Sequence, residues 1–185
     1  MTTPFSNYGY AVMTMNAQRI PDRVALTYRG QQFSFSELNN TVNLTANALL
    51  ALGIQPGDKV GVLIHDALPI AECYLALAKI GAVIVALNPY WTDEVMLAML
   101  KHCKVDATLT QAQDRERMAT MRAALPDPVV WLQLEAGDLP ADTTSLAVAK
   151  RDSNDSEPDT TRGGDDPLAF FFTSGTTGLP QAVVH

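Results

Sequence analysis

Cysteine and histidine are scarce in this chain of 185 residues, which has two of the former and three of the latter. The cysteines, Cys73 and Cys103, each lie in an apolar, helix-like stretch with no further Cys or His at metal-ligand spacing. Zinc sites are built from such clusters, so we expect no metal centre. We expect two buried free thiols in a reducing compartment rather than a disulfide.

Basic residues are also in deficit, because 13 lysines and arginines face 20 aspartates and glutamates and leave a net charge of −7. Proteins that bind nucleic acids irrespective of sequence gain affinity by neutralising phosphates with basic side chains. The deficit argues against that class, and we expect no nucleic-acid partner. A small anionic ligand stays open, because backbone N–H groups can bind phosphate without net positive charge.

The chain has no signal-peptide pattern and no clean membrane span. Residues 1–10 lack the basic start and the apolar stretch of a signal peptide. The most apolar stretch, 67–87, contains Glu72, Lys79 and Gly81, so a helix, a turn and a strand fit it better than a membrane helix. We therefore expect a cytoplasmic protein without a transmembrane segment.

Apolar runs typical of buried strands alternate with amphipathic helical patterns along most of the chain. The patterns predict a hairpin over 24–35, a helix capped by Ser34, strands at 59–64, 82–87, 107–110, 129–134 and 168–173, and helices at 70–80, 92–103 and 112–124. Strand–helix alternation is the signature of βαβ units. The fold class predicted is therefore α/β with a mainly parallel sheet.

The segment 135–166 differs from the rest of the chain in its charge. It holds nine acidic and three basic residues, so it carries a net −6 of the total −7. Its apolar residues are few. We interpret it as a solvated, partly mobile acidic surface loop.

A glycine-rich segment, 173–181, follows the predicted strand at 168–173. It combines Gly175 and Gly178 with four hydroxyl residues, which is the composition of a loop whose N–H and O–H groups can surround phosphates. It is not a Walker P-loop, because it has no lysine and no Gly-Lys-Ser/Thr at the required spacing. Spacing alone leaves both an ordinary turn and a phosphate loop open.

The string FTSGTTGLP at Phe172–Pro180 closely resembles the phosphate-binding signature of the AMP-forming adenylate ligases. That family comprises acyl- and aryl-CoA synthetases, luciferases and peptide-synthetase adenylation domains. Nine of the eleven residues that the signature specifies are present. The departures are Gln181, where the family has lysine, and Ala182, where it has glycine. The segments LGIQPGDKV at Leu52–Val60 and LALAKIGAV at Leu75–Val83 are also similar to family patterns.

The resemblance covers nearly the whole chain and implies that residues 1–185 are the first part of the large N-terminal AMP-binding domain of such a ligase. Asn88-Pro89 is similar to the acyl-CoA synthetase branch, whereas peptide-synthetase domains usually have aspartate before that proline. The resemblance implies a phosphate loop over 173–181 that holds the β- and γ-phosphates of ATP. Its members would be Thr173, Ser174, Gly175, Thr176, Thr177, Gly178 and Gln181.

The implied reaction has two steps and uses ATP, Mg²⁺ and coenzyme A. A carboxylic acid, such as a fatty acid, attacks the α-phosphate of ATP, and the thiol of coenzyme A then takes the acyl group. In the family the groups that hold adenine, ribose and the acyl chain, and the lysine that drives adenylation, come later than this segment. We therefore assign no catalytic residue, and expect this chain alone to be inactive and to self-associate through exposed apolar surface.

Two other interpretations stay open at this point. The chain could be a short non-catalytic paralogue that acts as a binding or assembly module, which the missing lysine at Gln181 favours. It could also be an unrelated α/β protein with a coincidental loop. Gln181 cannot supply a positive charge, so phosphate binding is expected to be weaker than with lysine, by roughly one to two powers of ten.

Overall fold

The computed structural model of the protein describes residues 7–125, 129–159, 165–173 and 180–185. The chain divides into two compact units, each assembled from three separate stretches. Unit one comprises Met1–Pro56, Asp66–Ala82 and Ala149–Asp166. Unit two comprises Gly57–His65, Val83–Val148 and Pro167–His185.

Unit one contains the predicted hairpin, formed by β1 (Val24–Tyr28) and β2 (Gln31–Ser34). The strands are antiparallel and joined by the two residues Arg29 and Gly30, whose φ angles are +48° and +82°. Two consecutive positive φ angles define the turn type that matches the twist of paired strands. The hairpin prediction is confirmed.

The helices of unit one begin with a π-helical turn at Tyr10–Thr14, which leads into α1 (Met15–Arg19). α2 (Phe35–Ala51) and α3 (Ala67–Ile80) are longer and pack against each other. None of the helices in the described part of the chain has the length and apolar character that a membrane span requires.

The predicted capping box at the start of α2 is confirmed. The Ser34 hydroxyl accepts a hydrogen bond from the Glu37 N–H at 3.2 Å, and the Glu37 carboxylate accepts one from the Ser34 N–H at 2.8 Å. Each bond satisfies a backbone donor that the first turn of a helix leaves unpaired. At the other end, Gly53 has a φ of +92°, as expected for a left-handed residue that ends a helix.

A buried lysine, Lys79, occupies the interior of unit one and is 1% exposed. Its ammonium group lies within hydrogen-bond distance of four oxygens, those of Thr14 (2.8 Å), Asn39 (2.8 Å), Asn43 (2.6 Å) and Glu157 (2.7 Å). Burial lowers the pKa of Lys79, and the Glu157 carboxylate opposes that shift. A buried charge is tolerated only when it is paired in this way.

The acidic segment departs from the surface loop that its composition predicts. Its described part contains β7 (Thr143–Ser145) and α6 (Leu146–Arg151). Leu146 is buried, and β7 adds an outer strand to the sheet of unit two. Farther along, Glu157 pairs with Lys79. A charge count cannot reveal such a pairing, because it counts acidic residues without their partners, and the partly exposed Glu157 has a buried one.

Unit two is organised around a seven-stranded sheet with the order β7-β6-β5-β3-β4-β8-β9. Besides β7 it consists of β3 (Lys59–Leu63), β4 (Val83–Ala86), β5 (Ala107–Thr110), β6 (Val130–Gln133), β8 (Ala169–Thr173) and β9 (Gln181–Val184). Every neighbouring pair is parallel except β8 and β9, which are antiparallel. The mainly parallel α/β fold that the sequence predicts is therefore confirmed.

Two helices connect strands of unit two. α4 (Asp93–Cys103) begins at the predicted cap Thr92, and α5 (Arg115–Arg122) follows a 3₁₀ turn at Ala112–Asp114. The single helix predicted over 112–124 is thus a turn followed by a shorter helix. The core cluster of unit two comprises Leu63, Val85, Leu87, Met96, Leu100, Cys103, Val105, Met118, Met121 and Trp131.

Both cysteines are buried and free, as the sequence predicts. Cys73 belongs to α3 and Cys103 to α4. Burial raises the pKa of both thiols above the ordinary value. Because the thiolate is the reactive form, neither residue has the character of a nucleophile.

We expect Glu157→Ala to lower the free energy of unfolding by roughly 1.5–3 kcal/mol, the value of a hydrogen bond to a charged group, because Lys79 is buried while the Glu157 side chain is 33% exposed. The loss follows because Lys79 would keep only neutral oxygens around a buried charge. Urea unfolding followed by circular dichroism measures the change.

Asp159→Ala is the matched control, because it removes an exposed carboxylate from the same segment and should cost under about 0.5 kcal/mol. The lowered pKa of Lys79 also gives the effect a pH signature. Between the lowered value and the ordinary one the unfolded chain binds more protons, so this lysine makes stability rise with pH. Because Glu157 raises the pKa of Lys79, its removal should lower that pKa further and so widen the pH range over which stability rises. Equal losses in the two variants would contradict the assignment.

Candidate functional site

The carboxyl ends of the parallel strands form one edge of the unit-two sheet. β4 pairs with β3 and with β8 in the same direction, and β5 lies on the other side of β3. The strand order reverses at β3, since the chain continues to β4 on one side and to β5 on the other. In open parallel sheets ligands bind at this edge, close to such a reversal. A ligand is therefore expected beside the segments that follow these strands.

Thr173 and Gln181 mark the two described ends of the predicted phosphate loop. Thr173 is the last residue of β8, Gln181 is the first residue of β9, and the antiparallel register places them opposite each other. Both are exposed. The other predicted members lie outside the described residues, namely Ser174, Gly175, Thr176, Thr177 and Gly178. The roles of the loop residues stay predictions.

The chemistry of the two described ends fits phosphate oxygens. The Thr173 hydroxyl and the Gln181 carboxamide both carry hydrogen-bond donors, and both belong to exposed residues at the carboxyl end of β8. Neither can carry a positive charge. These two groups can therefore bind an anion by hydrogen bonds alone, which is weaker than binding through a lysine.

The short loop after β4 lies at the same edge of the sheet and is held by its own hydrogen bonds. The Asn88 side chain accepts from the Tyr90 N–H at 2.9 Å, and the Asn88 carbonyl accepts from the Trp91 N–H at 3.1 Å. Thr92 then caps α4 by accepting from the Val95 N–H at 3.4 Å. Tyr90 is 93% exposed at the tip of this loop.

Trp91 links this loop to the strand that carries the predicted phosphate loop. Its ring meets the ring of Phe172 edge to face, with the centroids 5.0 Å apart and an angle of 79° between the planes. Phe172 is the residue before Thr173, and both aromatic rings pack against the core cluster of unit two. Phe172 is part of the signature string, whereas nothing in the sequence around Trp91 indicated a contact with it.

Arg117 of α5 binds the same loop and was also missed by sequence reasoning. Its guanidinium donates to the Asp93 carboxylate at 2.6 Å, to the Pro89 carbonyl at 3.0 Å and to the Trp91 carbonyl. The arginine is separated from these partners by more than 20 residues in the sequence. No local motif could therefore have indicated the contact.

A second polar contact joins the ends of β3 and β5. The Nε2 atom of His65 lies 2.9 Å from the Asp114 carboxylate, and the Gln111 side chain accepts from the His65 N–H at 2.7 Å. Asp114 is buried. The sequence analysis placed none of these residues at a site. The contact fixes the two strand ends where the strand order reverses.

The described residues contain no group of three or more His, Cys, Asp or Glu side chains arranged to hold a metal ion. Carboxylates at this edge are engaged individually, Asp93 with Arg117 and Asp114 with His65.

The chain matches one protein-family model, described as AMP-binding enzyme, over residues 13–185. Among curated relatives, it is 32% identical over 171 residues to a crotonobetaine/carnitine–CoA ligase of Salmonella paratyphi B, covering 88% of this chain and 33% of that protein. It is 30% identical over 168 residues to surfactin synthase subunit 1 of Bacillus subtilis, covering 91% of this chain and 4% of that protein.

Among solved structures, the chain superposes on ATP-bound MatB from Rhodopseudomonas palustris with a TM-score of 0.80 at 25% sequence identity. The match covers 100% of this chain and 35% of that one. The chain thus spans about a third of the length of the CoA ligase and of the MatB structure. These matches include both a CoA ligase and a surfactin synthase subunit.

Proposed function

Because the chain belongs to the AMP-binding enzyme family, we propose that residues 1–185 are part of the N-terminal domain of an ATP-dependent, AMP-forming carboxylic acid–CoA ligase. The observation that carries the proposal is the signature string FTSGTTGLP at the carboxyl end of β8, the sheet edge where a ligand is expected. The CoA ligase among its relatives and the ATP-bound structural neighbour support the same activity.

The proposed part of this chain in the reaction is to hold polyphosphate. Thr173, Ser174, Gly175, Thr176, Thr177, Gly178 and Gln181 would bind the β- and γ-phosphates of ATP. Fixing these phosphates aligns the α-phosphate for attack by the substrate carboxylate, which replaces a bimolecular encounter by an oriented one. Pyrophosphate then leaves from the same donors. Mg²⁺ would supply charge neutralisation between the phosphate oxygens.

Coenzyme A and a carboxylic acid are the proposed substrates of the whole ligase, and ATP is its energy source. The Asn88-Pro89 pair at the start of the loop after β4 favours an acyl-CoA synthetase over an amino-acid-activating domain. We also propose a cytoplasmic location, which the two buried free thiols support because free cysteines persist in reducing compartments.

Gln181→Lys is expected to strengthen pyrophosphate binding by at most about 1–2 kcal/mol, since water screens a charge at an exposed position. Lysine would restore a charged donor at the exposed start of β9. Calorimetric titration of both variants with pyrophosphate at low salt measures the gain, and added salt should reduce it.

Val148→Lys makes the same change in net charge on exposed α6, away from the signature, and should leave pyrophosphate affinity unchanged. Equal affinities of the wild-type chain and Gln181→Lys at low salt would show that position 181 does not face the phosphates. A wild-type chain with no saturable binding would overturn the phosphate role of the loop.

This chain alone should not catalyse carboxylate-dependent exchange between pyrophosphate and ATP. The family resemblance places the groups that hold adenine, ribose and the acyl chain, and the adenylating lysine, outside these residues. Labelled pyrophosphate, ATP, Mg²⁺ and a panel of fatty and aromatic acids provide the assay, with a no-acid reaction as its blank. Exchange that depends on an added acid would contradict the expectation.

We further propose that two copies of this chain associate through β9. In the described part of the chain β9 is the outer strand at one end of the sheet. Its Val183 and Val184 are 39% and 55% exposed, and Phe171 of the neighbouring β8 is 43% exposed. An apolar edge strand with unpaired backbone groups is a template for pairing with another chain.

Light scattering over a concentration series should show a mass that rises with concentration, and Val183→Glu should suppress the rise by adding a charge to the edge. Val148→Glu introduces the same charge at an exposed apolar position of α6, and should not suppress it. A wild-type chain that stays monomeric at high concentration would contradict the association.

A further inference from the structure

Within the described residues, the side-chain hydrogen bonds of Arg117 go to one short segment, which is the loop that joins β4 to α4 together with Asp93, the first residue of α4. One nitrogen binds the carboxylate of Asp93, and the other two bind the carbonyls of Pro89 and Trp91. Asp93 neutralises the guanidinium, and the planar fork of donors fixes two carbonyls at once. The arginine therefore sets the position of Trp91 rather than presenting a charge to a ligand.

Trp91 in turn contacts the end of β8, so its position affects that strand. Its ring rests edge to face against Phe172, the residue directly before Thr173. β4 and β8 are parallel neighbours, so the loop after β4 and the end of β8 lie at the same edge of the sheet. A displaced Trp91 would remove one wall of the site that holds the Phe172 ring.

We propose that Arg117 is a positioning residue for phosphate binding, acting through Trp91 and Phe172 on the point where the phosphate loop leaves β8. The inference rests on the proposed function for the role of that loop. It assigns no contact between Arg117 and phosphate. It predicts that a change of the arginine displaces both the loop after β4 and the end of β8 at Phe172 and Thr173.

The test compares Arg117→Met with the wild-type chain in two measurements. The amide NMR resonances of Phe172 and Thr173 report the position of the end of β8 without any ligand. Calorimetric titration with inorganic pyrophosphate reports binding. We expect both amide resonances to shift and the affinity to fall by roughly twofold to thirtyfold, the range found when a coupled residue outside a site is changed.

Arg122→Met is the matched control on the same helix. Arg122 also binds a loop through backbone carbonyls, those of Ala141 and Asp142, and it stacks on Trp131 with its guanidinium carbon 4.8 Å from the ring centroid. Trp131 lies in β6, and the two carbonyls directly precede β7, so these partners are on the far side of the sheet from β8. Losing it should lower stability without moving the Phe172 and Thr173 resonances or the affinity.

Arg117→Lys keeps the charge beside Asp93 but loses the fork, so it should give a smaller shift and a smaller loss of affinity. It also serves if the methionine variant does not fold. Unchanged Phe172 and Thr173 resonances in a folded variant, or wild-type affinity for pyrophosphate, would overturn the positioning role alone. A wild-type chain that binds no pyrophosphate would overturn the proposed function, and the phosphate role of Arg117 with it.

Discussion

The parallel pairing of β4 with β8 is the contact on which the candidate site depends. It joins strands more than 80 residues apart in sequence, with Ile84 beside Ala169 and Val85 beside Phe170. Because the strands run in the same direction, the loop after β4 and the signature string after β8 leave the sheet at one edge. Without this pairing Trp91 could not reach Phe172, and Arg117 would hold a loop with no connection to the predicted phosphate site.

Unit one depends on a different constraint, which is the need to pair a lysine that burial has removed from water. The four oxygens around Lys79 come from α2, from the turn before α1 and from the acidic segment, so one ammonium group ties three distant stretches of the chain together. Gly9 approaches so closely that an added Cβ would lie 2.6 Å from the Lys79 backbone nitrogen. The lysine position therefore also restricts the side chains that can pack around it.

Local features could be predicted from the sequence because their causes are local. The Ser34–Glu37 capping box, the left-handed Gly53 and the cap Thr92 each follow from residues within a few positions, and all three are confirmed. The alternation of apolar runs likewise predicted the parallel sheet. Strand order, the pairing of Lys79 with Glu157 and the contacts of Arg117 could not be predicted, because their partners lie 24 to 78 residues away.

The sequence predicts which residues form the candidate site, whereas only the structure shows which side chains hold them in place. The string from Phe172 to Pro180 predicts a phosphate loop by its resemblance to the family signature. It carried no information on what supports the loop, since Trp91 and Arg117 belong to segments with no matching signature. The support became visible only when the sheet placed these segments side by side.

The missing lysine makes that support more important to the proposed function. A charged donor attracts phosphate over several ångströms and tolerates small errors of position, whereas a neutral hydrogen bond weakens steeply with distance and angle. With Gln181 in place of lysine, the affinity would come from hydroxyl, carboxamide and backbone donors, whose strength depends on where β8 ends. The charge of Arg117 is neutralised by its ion pair with Asp93. Arg117 would then contribute to phosphate binding by positioning the end of β8 rather than by electrostatic attraction.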